Sequence, residues 1–116
     1  MSIGGDRGIR GALYDSHEIV FITEDMRVVA KSRRCVIDPP PDQNGWSGIN
    51  VRVPDLKYIE NILHIQLEIR PSPPGQGAIM GPINKHIEGN VVGMSIYQTN
   101  RAGVTICIDV IAVGPP

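Results

Sequence analysis

A chain of 116 residues makes one domain that buries about two-thirds of its unfolded surface, enough for a single core without metal or disulfide staples. Its 17 Ile and 11 Val against 4 Leu favour sheet over helix, because stiff β-branched side chains lose rotamer freedom in a helix and suit a pleated surface. Eleven Lys and Arg against twelve Asp and Glu leave a formal charge of −1, so the broad positive field that nucleic-acid binding needs is missing.

Residues 1–12 are Gly-rich and weakly apolar and read as a flexible N-terminal arm, either plain terminal disorder or a segment that orders against a neighbouring subunit. The stretch has no apolar signal-peptide core, and no apolar run approaches the ~20 residues of a membrane span. Neither a membrane nor nucleic acid is an expected partner, and the chain is expected to be made in the cytoplasm. Residues 13–116 read as a single domain. Its first strand is 18–23, followed by a Glu24-Asp25 turn and a second strand from Met26 to about Ala30, close enough for a hairpin. Arg33 to Ile37 continues the strand after a polar break, through a bulge at Lys31-Ser32. The basic cluster Lys31, Arg33 and Arg34 reads as a solvated strand face. DPPPDQNGWSG, 38–48, is a loop in which the prolines favour extended geometry and Asn44-Gly45 a tight turn. Its Trp46 is expected to fold back as a lid on the end of the domain.

The chain centres on 48–70, which holds two runs of strict alternation. Ile49, Val51 and Val53 share one face, then Leu63, Ile65, Leu67 and Ile69 share another, as half-buried strands require. Pro54 and Asp55 end the first run, and 55–62 reads as a corner with one short helical turn. PSPPGQGAIMGP, 71–82, is a long Pro/Gly connection of the kind that contacts a partner. A short strand at 83–88, a Gly89-Asn90 turn, a strand at 91–97, a TNRAG loop and a last strand at 104–113 complete the chain. That last strand points Val104, Ile106, Ile108, Val110 and Ala112 inward, while Ile111 and Val113 leave one end of its outer face apolar. A strand apolar on both faces is central or is covered by another chain. Trp46, Ile79, Met80, Ile111 and Val113 are therefore the expected assembly contacts.

The fold class is all-β, an antiparallel sandwich or barrel-like domain of six to eight strands. Its expected core is Ile19, Phe21, Val28, Ile49, Val51, Val53, Leu63, Ile65, Leu67, Ile69, Val92, Met94, Ile96, Ile106, Ile108 and Val110. No catalytic, metal or cofactor site is expected. His17, His64 and His86 lie in different elements without ligand spacing, and neither Ser nor Cys stands in a nucleophile motif. Asp109, set in an apolar strand, needs a partner if buried, and Arg52 or Arg70 are the candidates. Cys35 and Cys107 read as reduced, inert thiols in apolar surroundings, with a single disulfide the alternative.

Two segments resemble small proteins encoded among the virion genes of tailed bacteriophages. VRVPDLKYIENILHIQLEIR, 51–70, is similar to their strand ending in Val-Pro, Leu-x-Tyr-Ile corner and alternating strand. HIEGNVVGMSIYQTNRAGVTICIDVIAVG, 86–114, resembles their closing hairpin. The resemblance implies a structural role in a virion, as a head decoration (cement) protein or a tail-associated subunit, with no catalytic residues to carry over. Partners are then further copies of the chain in a homo-oligomer and other capsid or tail proteins. The alternative is a carbohydrate- or ligand-binding β-sandwich module that uses the Trp46 loop.

Overall fold

The alternation in the sequence is realised as strands wherever the chain is described. The computed structural model describes residues 13–37, 43–70, 79–98 and 105–116. Among them are seven strands: β1 (Ser16–Ile22), β2 (Val28–Ile37), β3 (Trp46–Arg52), β4 (Asn61–Arg70), β5 (Ile79–Glu88), β6 (Val91–Gln98) and β7 (Thr105–Gly114). They form an antiparallel sandwich of a four-stranded sheet, β1-β2-β7-β4, and a three-stranded sheet, β3-β6-β5. The expectations for the 1–12 arm, the triple proline at 39–41, most of the 71–82 connection and the TNRAG loop lie outside the described residues.

The core lies between the sheets. From the first sheet come Val28, Ala30, Ile106, Ile108, Val110 and Ala112; from the second come Ile49, Val51, Val92, Met94 and Ile96. Ile62, Ile65, Leu67 and Ile69 of β4 pack against it partly buried. The β3–β4 corner closes one end with Leu56 and Ile59, both buried. This corner is held by backbone bonds, from Ile59 N–H to Gly89 O at 2.9 Å, Lys57 N–H to Pro115 O at 2.9 Å and Glu60 N–H to Val113 O at 2.9 Å. It makes a turn from Val53 to Leu56 rather than the expected helical turn, because its backbone donors are committed to other strands. Gly89, at φ 60°, supplies the left-handed position of the β5–β6 hairpin.

Several expectations need correction. β2 runs unbroken through Lys31 and Ser32, which pair in register with Ile111 and Val110; the bulge falls in β1 instead, at Val20. β3 begins at Trp46, which therefore belongs to a strand. β5 begins at Ile79, four residues before the expected 83; it is an edge strand, where Pro82 is tolerated in an irregular register. A bulge between Ile62 and His64 sends Ile62 inward and leaves Leu63 exposed. Arg34 belongs to no solvated face: it points inward, is 8% exposed, and its Nη1 donates to Asn50 O at 2.7 Å. Ile19 and Phe21 are exposed and not part of the core.

The cysteines are not free thiols. Cys35 and Cys107 are register partners on β2 and β7, with Cα atoms 4.0 Å apart, and form a disulfide across the middle of the larger sheet.

Candidate interaction surface

Among the described residues, the large exposed apolar side chains are concentrated on β1 and its hairpin loop. The strand is built into a hairpin whose loop is organised by Thr23. The Thr23 backbone exchanges bonds with Arg27 and Met26, its hydroxyl oxygen accepts from Arg27 N–H at 3.0 Å, and the same hydroxyl donates to Asp25 Oδ1. That bond holds the Asp25 carboxyl below its usual range.

β1 buries neither face. Every residue from Ser16 to Ile22 is exposed, with Ile19, Val20, Phe21 and Ile22 between 49% and 54%. The reason is the unequal width of the two sheets. β3, the edge of the narrow sheet, sits against β2, whose Ser32 hydroxyl donates to Arg52 O at 2.5 Å beside the Arg34 bond to Asn50 O. The far half of β1 lies beyond that edge: His17 still reaches Asp55 of the β3–β4 corner, but Ile19 to Ile22 meet no opposite strand among the described residues. Met26 extends the patch: it is 65% exposed and stands at φ 63°, a backbone conformation that costs a non-glycine residue. Exposed apolar side chains gathered on one element are candidates for a contact site. The outer backbone edge of the strand, unpaired among the described residues, is also a template for pairing with another chain.

Two of the expected contacts join this surface. Phe21, Val29 and Val113 are successive register partners across β1, β2 and β7, an apolar row in which Phe21 is exposed, Val113 half-buried and Val29 between them buried. Val113 and Ile111 are half-buried there, and Ile111 stands between Lys31 and His64. Trp46, Ile79 and Met80 belong to the other sheet. Trp46 is half-buried and, instead of capping the core, lies against its cross-strand partner Tyr97, ring centroids 5.1 Å apart and planes tilted by 57°. Tilted rings present no common flat face to a sugar ring. Ile79 and Met80 stand on the β5 edge, at register positions beside Gln98 and Tyr97.

A second feature is an open depression of about 350 Å³ on the larger sheet, lined by Ser16, His17, Glu18, Lys31, Arg33 and Asp109. Its charges face one another. Arg33 Nη1 donates to both Asp109 oxygens at 3.2 and 3.0 Å, Arg33 Nη2 to Glu68 Oε1 at 2.9 Å, and Lys31 lies 3.5 Å from Glu18. His17 Nδ1 is 2.8 Å from Asp55 Oδ2. The Glu68 bond, with the Asp109 charge behind it, raises the Arg33 pKa further above its usual value. Asp109 is thus paired with Arg33 and not with Arg52, which lies in the other sheet; the expectation for the Arg70 side chain lies outside what is described. The arrangement is a cross-strand ion-pair network that staples β2, β7 and β4. Among the described residues no group of three His, Cys, Asp or Glu is placed to hold a metal.

Comparison with protein-family models, with curated proteins and with solved structures finds no match to this chain. The apolar β1 patch is the feature that alternation alone misplaces. The sequence signal was the uninterrupted run Ile19-Val20-Phe21-Ile22, which lacks the alternation of a half-buried strand.

Proposed function

We propose that this domain is a structural subunit that works by association, in a homo-oligomer and with other proteins of a tailed-bacteriophage virion, as a head decoration or tail-associated component. The observation that carries the reading is β1, an edge strand with four consecutive apolar residues about half exposed and an outer backbone edge that pairs with no other strand among the described residues. Met26, 65% exposed in the adjoining hairpin loop, adds to the exposed apolar side chains of β1. The Cys35–Cys107 disulfide supports the reading too, since a particle released from its host works in an oxidising medium where such a bond persists. The virion assignment rests on the resemblance of 51–70 and 86–114.

The test is the absolute mass of the full chain by light scattering across a range of concentrations. An oligomer of defined size is the expected result; a monomer at every concentration would count against self-association as the working state.

A further inference from the structure

We infer that the occupant of the β1 edge is β1 of a second copy of this chain, paired antiparallel about a two-fold axis that passes between Val20 and Phe21. The inference rests on the association reading and deepens it by naming the partner surface and its register. Among the described residues β1 has a strand on one side only, and it asks a partner for backbone groups along its outer edge and apolar side chains opposite Ile19 to Ile22. β1 itself carries both. Pairing with its own copy makes the contact isologous, the kind that closes at two subunits.

The bulge at Val20 decides the register. Val28 and Ala30 of β2 belong to the core, so their register partners Ile22 and Ile19 stand on the core-facing side of β1. Lys31 and Val29 alternate with them, so Glu18 and Phe21 stand on the outer side. Outer positions are therefore even-numbered up to Glu18 and odd-numbered from Phe21 on. An uninterrupted strand paired antiparallel with its copy brings like faces together only where the two residue numbers have an even sum. The bulge reverses this rule, so the half of β1 before it matches the half after it in the registers with an odd sum. One such register pairs Ile19 with Ile22 of the second copy on the core-facing side and Val20 with its Phe21 at the axis. All four apolar residues then meet apolar partners. The neighbouring registers of the same parity set Glu18 against Phe21, or Ile19 against Glu24, and leave apolar side chains facing carboxylates. The favoured register also keeps the two Glu18 side chains apart, each opposite a Thr23, and brings Glu24 of each copy to the His17 end of the other.

The experiment makes Val20→Lys and Phe21→Glu separately in the full chain. Mass is read by light scattering and sedimentation at several concentrations and low salt, with circular dichroism to confirm folding. Each variant alone is expected to raise the dissociation constant of the dimer roughly tenfold or more, because it sets a charge against an apolar partner and close to its own symmetry mate. An equimolar mixture of the two is expected to recover a dimer, in which the new lysine faces the new glutamate. In the unmodified chain, a mixture of isotope-labelled and unlabelled copies is expected to show nuclear Overhauser contacts between Ile19 of one copy and Ile22 of the other; should either variant unfold, this measurement decides alone. If a folded variant keeps the unmodified mass, if the mixture does not recover, or if an oligomeric chain shows no such contact, this inference is overturned and the association reading stands. If the unmodified chain is monomeric throughout, as cover of this edge from within the chain would make it, both are overturned.

Discussion

β1 and β7 are both rich in Ile and Val, and they end at opposite extremes of the same sheet. In β7 the row Ile106, Ile108, Val110 and Ala112 is fully buried, with a strand on each side and the narrow sheet below. Among the described residues, the run Ile19 to Ile22 of β1 has a strand neighbour on one side only and no strand opposite. Side-chain chemistry hardly differs; position does. A four-stranded sheet laid on a three-stranded one leaves a strand over, and the strand left over carries apolar surface that no described element of the chain covers. That surplus is what the association reading explains.

The comparison can be broken at its strong end first. Reduction of Cys35–Cys107 opens a loop spanning a sequence separation of 72 residues and is expected to cost about 4 kcal/mol by the chain-entropy relation. Denaturant unfolding with and without reductant measures it, and a loss near zero would mean the β2–β7 pairing holds without the crosslink. Ile108→Ala, at a position with no exposure, is expected to cost about 3 kcal/mol in urea unfolding. Phe21→Ala, measured at concentrations where the chain is monomeric, should stay within about 0.5 kcal/mol. Equal losses at the two positions would remove the contrast between the strands.

Gly114→Ala probes the other closure of β7. A Cβ there would stand 2.1 Å from the Tyr58 carbonyl oxygen, a backbone atom of the corner that clasps the end of the strand. The corner must shift, and a cost of about 2 kcal/mol is expected, read as a lowered urea midpoint. The smallest effect is at the β1–β2 loop. Because the Thr23 hydroxyl holds the Asp25 carboxyl low, its stabilisation is complete above the ordinary carboxylate range and is lost as pH falls through the depressed value. Thr23→Val should therefore lower the melting temperature slightly at neutral pH and leave it nearly unchanged well below about pH 4, so that the fall in acid is flatter.

Much of the sandwich was legible in the residues. Strict alternation in 63–70 and 91–97 and the apolar run at 104–113 located β4, β6 and β7, and most of the core, because period-2 patterning reports directly on a half-buried pleat. What stayed hidden depends on neighbours distant in sequence. Cys35 and Cys107 pair because β2 lies beside β7 in one register, which neither cysteine's local setting reveals. Arg34 points inward because β3 presents the Asn50 carbonyl just there, and Asp109 meets Arg33 for the same reason of register. Leu63 was misassigned through a bulge at one residue, which exchanges the faces of a strand. As for the candidate surface, Ile111 and Val113 were found from the apolar outer end of β7, whereas the larger β1 part was mistaken for core. Hydrophobicity states that a side chain gains by burial and is silent on whether its own chain supplies the cover.

The most direct measurement is amide hydrogen exchange of the full chain at two concentrations, one below and one above its assembly midpoint. The account predicts that amides of β1 slow markedly at the higher concentration while those of β7, already paired on both sides, do not change. Equal exchange of β1 at both concentrations would contradict it.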